Sequence, residues 1–149
     1  MRMNLERLKK GKLKLLILEC LNEKPMHAYE IMKTIEKKFG GIYKPSPGSL
    51  YPVLKGLMSQ NLIGVEEKDS KKIYYITEDG KKEYLRIKEK VNTFFATHSE
   101  YRRLVSELIN LGFFLYNYKD ILDEEKYKEI SEILNNCKKE IENRLNERK

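Results

Sequence analysis

The sequence predicts a mostly α-helical protein with one small β-hairpin, and three observations carry that prediction. Apolar residues recur every three or four positions through most of the 149 residues, the period of helices that bury one face. Residues 62–77 break this period with β-branched and aromatic residues on either side of a charged turn, as paired strands do. With 40% apolar and 36% charged residues, the composition is that of a soluble, helix-rich chain long enough for a real core.

Several classes are set aside at once. No apolar run approaches the roughly 18 residues of a membrane span, and the basic start lacks the apolar core of a signal peptide. Cys20 and Cys137 form no CxxC or Cys/His cluster, so neither a disulfide framework nor a metal site is expected. Both fall at apolar helix positions and are expected to be buried. A cytoplasmic location fits. No nucleophile–base pair, paired carboxylates or phosphate-cradling glycine loop occurs, so neither an enzyme nor a cofactor is expected. Charge is uneven. Residues 1–90 hold 20 Lys+Arg against 12 Asp+Glu, net +8, and residues 91–149 hold 10 against 11, net −1. A basic half joined to a neutral half suggests a polyanion-binding module, 1–90, carrying a partner module, 91–149.

The chain opens with Arg2, Arg7, Lys9, Lys10, Lys12 and Lys14, interrupted by Gly11. Such a run is either a solvated helix face or an arm along a phosphate backbone, and the arm is the favoured reading. Leu13, Leu16, Ile17, Cys20 and Leu21 then make an apolar helical face that ends before Pro25. A second helix is expected from about His27 to Phe39, with Tyr29, Ile31, Met32, Ile35 and Phe39 inward and Gly40-Gly41 as its stop. His27, alone at a helix start, reads as a cap or packing residue.

The third helix is organised by the stretch 43–57. Leu50, Val53, Leu54, Leu57 and Met58 form its apolar stripe. Ser46 before Pro47 reads as an N-cap and first helical residue, since proline lacks an N–H that would be unpaired there. Ser49 is a second candidate cap. With Ser46 as the cap, Pro52 lies deep enough to predict a kink. The exposed side carries Gly48, Ser49, Tyr51, Lys55 and Ser59, and no acid occurs between Phe39 and Val65. Small hydroxyls, a tyrosine, helix-start N–H groups and lysines (Lys44, Lys55) suit phosphates and base edges in a DNA groove. Packing of this corner on a neighbour is the competing reading.

Strands are expected at 62–67 and 72–77 around the turn Lys68-Asp69-Ser70-Lys71. Two strands alone are marginal, so the hairpin must rest on the helices. Three helices and a hairpin make a winged helix-turn-helix. Lys68, Lys71 and Lys72 at the tip are placed to touch phosphate, or else guard an edge from aggregation.

Four blocks of residues resemble the PadR family of transcriptional regulators: Lys10-Gly11-Lys12-Leu13, His27-Ala28-Tyr29-Glu30-Ile31, the run Pro45 to Leu54, and Tyr74-Tyr75-Ile76-Thr77-Glu78-Asp79-Gly80. The likeness covers roughly residues 8–90, and its most specific part is Ser46-Pro47-Gly48-Ser49-Leu50-Tyr51-Pro52. Ala28 departs from it, since the family usually has glycine there. The resemblance implies a dimeric winged-helix repressor whose Ser46–Tyr51 segment enters the major groove. It also implies response to small aromatic or drug-like molecules.

Thr77 reads as the N-cap of a further helix. Tyr84, Ile87, Val91, Phe94, His98, Tyr101, Val105, Leu108, Gly112 and Leu115 step by three and four, a heptad seam broken only at His98 and Gly112. Either one long helix or two meeting near Thr97 satisfies it. His98 on that seam is read as an interfacial, hydrogen-bonded residue. After a turn at Asn117–Asp120, Asp123 starts a last helix whose seam is Tyr127, Ile130, Leu134, Cys137 and Ile141. Together with Leu111, Phe113, Phe114 and Tyr116, these seams carry more apolar surface than one helical hairpin can cover, which favours homodimerisation through residues 91–149. The expected interface is Tyr101, Val105, Leu108, Leu115 and the last seam. Phe94, Phe95, Phe113, Phe114 and Tyr116 are the candidates for an effector pocket, although core packing would employ them equally well.

The sequence therefore points to a regulator that binds double-stranded DNA as a homodimer on a near-palindromic operator. A winged helix used for protein assembly or for RNA is the alternative.

Overall fold

The computed structural model describes residues 5–147, with side chains from residue 10 to residue 147. The chain divides into two compact units, 1–97 and 98–149. The first contains α1 (Leu5–Glu23), β1 (Met26–His27), α2 (Ala28–Lys38), α3 (Pro47–Ser59), β2 (Ile63–Lys68), β3 (Lys71–Ile76) and α4 (Glu78–Thr97). The second contains α5 (Ser99–Tyr116), a short 3-10 turn (Lys119–Ile121) and α6 (Glu124–Asn146).

Helix α1 runs through Gly11 and the basic segment from Leu5 onward, so the favoured arm is replaced by a helix. A single glycine costs a helix only about 1 kcal/mol, and burial of Leu13, Ile17, Leu18, Cys20 and Leu21 outweighs it. Arg2 and the side chains of Glu6, Arg7 and Lys9 lie outside the described residues. Burial pushes the Cys20 thiol up to about 11.

The hairpin β2–β3 turns at Asp69-Ser70, whose φ angles of +53° and +60° make the mirror-image turn that matches strand twist. A third strand, β1, extends the sheet in the order β1-β3-β2, pairing Met26 with Tyr74 and His27 with Ile73. Two residues are too few to show an alternating pattern, so the sequence gives no sign of it. His27 also caps α2: its N–H donates to Glu30 Oε2 at 3.1 Å, and its Nδ1 lies 2.9 Å from the Lys72 carbonyl. The cap expected at His27 is thus also a strand residue tied to the hairpin.

Ile31, Met32 and Ile35 of α2 are buried, whereas Tyr29 is 61% exposed and Phe39 41%. Neither faces inward as the periodicity predicts. Tyr29 carries Lys33 over its ring at 5.8 Å, and Phe39 makes an edge contact with Tyr43 at 5.6 Å. Tyr29 is thus an amphipathic surface residue of α2, and Phe39 is its half-exposed C-cap residue, not core. Helix α3 buries Leu50, Leu54 and Leu57 on its expected stripe and continues through Pro52 to Ser59 as one element.

Helix α4 begins one residue after β3, capped by Thr77, whose hydroxyl accepts from Gly80 N–H at 3.0 Å. That hydroxyl also lies 2.6 Å from the Asn61 carbonyl and 3.0 Å from that of Leu62. The first turn of α4 sits so close that a Cβ on Gly80 would stand 1.9 Å from the Leu62 carbonyl oxygen. Tyr84 is buried and Ile87 packs on the same core, so the first two steps of the predicted seam belong to the winged unit. Farther along, Lys14 of α1 reaches Glu83 at 3.3 Å and Gln60 at 3.4 Å. Arg86 holds the Glu83 carboxyl by two hydrogen bonds, and with Lys14 lowers its pKa to about 2. A carboxyl depressed on folding stabilises the fold above its ordinary value near 4.5 and loses that contribution as pH falls toward 2. Glu83→Gln is therefore expected to lower stability at pH 7 and flatten its dependence between pH 4.5 and 2, as read by urea titrations at each pH.

Of the two ways to read the long seam, the chain takes two helices: α4 ends at Thr97, and His98 precedes α5 with φ −116° and ψ 63°. Helix α6 is capped by Asp123, whose carboxylate accepts from Lys126 N–H at 2.8 Å. No described residue of the second unit is buried within the single chain. Cys137 is exposed there, contrary to the buried position expected of it.

Candidate nucleic-acid interface

The exposed corner of the winged unit is the start of α3, and its geometry follows from two serines. Ser46 adopts the extended backbone of an N-cap, with φ −80° and ψ 157°, and its Oγ accepts from Ser49 N–H at 3.2 Å. Ser49 Oγ donates back to the Ser46 carbonyl at 2.9 Å, and the two hydroxyls are 3.1 Å apart. With the Ser49 hydrogen committed to that carbonyl, Ser46 is the hydroxyl left to donate, either to Ser49 or outward. Pro47 fills the first helical position, and Gly48 holds the next N–H, of the kind a helix start leaves to an anion. The sequence's second candidate cap, Ser49, is thus the partner of the first.

Tyr51 is 51% exposed, one turn along α3, and Lys55 follows on the exposed side. Burial, and then the charge of the Tyr51 phenol, push the Tyr74 hydroxyl of β3 above its ordinary value. Lys44 stands before the corner with Nζ 3.8 Å from Glu36 Oε2, an acid that also pairs with Lys33 at 3.6 Å. Reading the acid-free run 39–65 alone misses this partner, because Glu36 arrives from the preceding helix. Lys10 and Lys12 of α1 border the same hollow as Lys44, Ser46, Gly48 and Ser49. Of the predicted contacts, Lys10, Lys44, Ser46, Gly48 and Ser49 border one hollow, and Pro47, Tyr51 and Lys55 are exposed on α3.

Residues 17–86 match the family described as Transcriptional regulator PadR-like family. The chain is 45% identical over 71 residues to the transcriptional regulator YqjI of Escherichia coli K12, a match covering 47% of this chain and 34% of that protein. The chain thus matches about a third of that relative's length. Among solved structures, a transcriptional regulator from Clostridium thermocellum superposes with TM-score 0.59 at 23% identity, over 66% of this chain and 97% of the other. A PadR-like transcriptional regulator from Bacillus cereus gives 0.55 at 25% identity, over 63% and 94%. Residues 17–86 are a PadR-like domain.

In this PadR-like domain the hairpin is a wing. Lys68 and Lys71 face one another across its tip, and Lys72 opposes Glu67. All three lysines are exposed, but so are Glu66, Glu67 and Asp69, so the wing's net charge is close to zero and any phosphate contact depends on where these lysines point. Outside residues 17–86, the expected interface positions Tyr101, Leu108, Tyr127, Leu134, Cys137 and Ile141 are exposed in the single chain, and Val105, Leu115 and Ile130 are half-buried. The aromatic effector candidates divide between the units. Phe94 and Phe95, with rings 5.6 Å apart, belong to α4. Phe113, Phe114 and Tyr116 belong to α5, where Lys119 lies over the Tyr116 ring at 4.6 Å.

Proposed function

We propose that this chain is a dimeric, double-stranded-DNA-binding transcriptional regulator that acts as a repressor. The observation that carries the reading is the serine-capped start of α3, exposed and bordered by Lys10, Lys12 and Lys44. Its N–H groups, hydroxyls and nearby cations are what phosphate oxygens bind, and Tyr51 and Lys55 stand farther along the helix to meet base edges. Dimerisation is supported by the second unit, where a chain with large apolar side chains on α5 and α6 buries none of them alone. Pairing through these helices would present two α3 corners to successive major grooves, about 34–36 Å apart, and so select a near-palindromic operator. Effectors that alter the geometry of that pairing would release it.

A charge change at the cap separates DNA contact from folding. Aspartate caps a helix as well as serine does, so Ser46→Asp should keep the melting temperature while placing an anion where a phosphate is expected. We expect its affinity for a duplex, read by fluorescence anisotropy at low salt, to fall by about a hundredfold, the scale of a like-charge clash. Ser46→Asn should retain binding. Wild-type affinity in Ser46→Asp would remove the corner from the interface and with it this reading. Tyr51→Phe should change operator preference or affinity with little change in melting temperature; unchanged binding takes Tyr51 off the interface.

A further inference from the structure

The hollow bordered by Lys10, Lys12 and Lys44 has a volume of about 810 Å3, within the range of small-molecule sites. Its walls are apolar: Leu13 and Leu16 of α1, Phe39 and Tyr43 after α2, and Pro45 and Pro52 around the start of α3. Phe39 and Tyr43 keep 41% and 40% of their surface exposed while meeting edge to face. An aromatic pair with that much surface still open leaves ring area for a further apolar body. Three lysines border this surface, and the described carboxylate nearest Lys44 is Glu36, at 3.8 Å. DNA phosphates would use the lysines but not the apolar walls.

We infer that this hollow binds a small organic monoanion with an apolar body, its carboxylate among Lys10, Lys12 and Lys44 and its body against Leu16, Phe39 and Tyr43. The anion replaces Glu36 as the partner of Lys44. The ligand lies against Ser46, Gly48 and Ser49, so occupancy and DNA binding exclude one another. This competition, unlike the binding itself, rests on the DNA reading above. The site is separate from the aromatic residues of α4 and α5.

Calorimetric titration of the full chain tests it with dodecanoate below its micellar concentration, 2-naphthoate, dodecanol and dodecylammonium. Saturable binding of dodecanoate or 2-naphthoate, with none of dodecylammonium, is the expected result, and the tighter of the two anions tells an alkyl body from an aryl one. The paired substitution Lys12→Gln and Lys44→Gln should weaken the anion about tenfold, the sum of two surface charge contacts, without moving the melting temperature. Equal binding of dodecanol or dodecylammonium, or unchanged binding by the double variant, overturns the site. So does sedimentation showing that dodecanoate splits a dimer, which would give the hollow to a second copy of the chain. Displacement of a mixed-sequence duplex by the anion then reads the competition. A chain that binds the anion but never the duplex defeats the DNA reading and leaves this one standing.

Discussion

Gly80→Ala should unfold the winged unit at a markedly lower temperature than wild type. A Cβ at this position would stand 1.9 Å from the Leu62 carbonyl oxygen and 2.7 Å from Ile76. A backbone oxygen cannot swing aside as a side chain does, so the first turn of α4 must lift from the sheet. Overpacking of this kind costs about 1–3 kcal/mol, occasionally more, and for a unit of this size that is a fall of roughly 5–20 °C. The lift would also lengthen the bonds from the Thr77 hydroxyl that secure the same turn. Gly56, within α3, provides the control. Nothing lies within 4 Å of a Cβ placed there, so Gly56→Ala should raise stability by about 0.5–1 kcal/mol through helix propensity. Differential scanning calorimetry of the two variants checks both signs. A Gly80→Ala protein melting with the wild type would mean that α4 does not rest on Leu62.

The second large effect concerns charge at the wing. Alanine at Lys68, Lys71 and Lys72 together should weaken binding to every duplex alike. It should also reduce the slope of log affinity against log salt by up to about 3, since each phosphate contact contributes about 0.9. The neighbouring acids sharpen this expectation. With Glu66, Glu67 and Asp69 left behind, the triple variant presents a net negative wing to the backbone, so the loss should exceed that of three neutral deletions. Anisotropy titrations at several salt concentrations with two unrelated duplexes measure both quantities. A changed order of preference between the duplexes would make the wing a reader of sequence. An unchanged salt slope would take the wing off the phosphates.

Most of the winged unit was legible before any coordinates, and the exceptions have physical causes. The serine-proline cap and the stripe of α3 rest on local bonding and period, and both are present as expected. The β-hairpin follows likewise from its turn residues. Strand β1 leaves no mark in the sequence because a two-residue strand is defined by its partner, Tyr74 and Ile73 across the sheet, and not by any pattern of its own. Tyr29 and Phe39 satisfied the helical period yet lie at the solvent edge of α2, where a tyrosine or phenylalanine can cover a lysine stem or another ring. The N-terminal lysines read equally well as arm or helix, and packing of α1 residues farther along decides for the helix. Glu36 shows the limit for the interface: its bond to Lys44 joins residues from different elements, which an inspection of one stretch of charge cannot find.

The one-residue link between β3 and α4 has a mechanical corollary. Thr77 ties this junction to two successive carbonyls, and Gly80 lets the helix lie directly upon one of them. That helix therefore joins directly to the central strand of the sheet, which is paired in turn with His27 at the head of α2. Rotation of α4 should consequently be felt at the base of the wing.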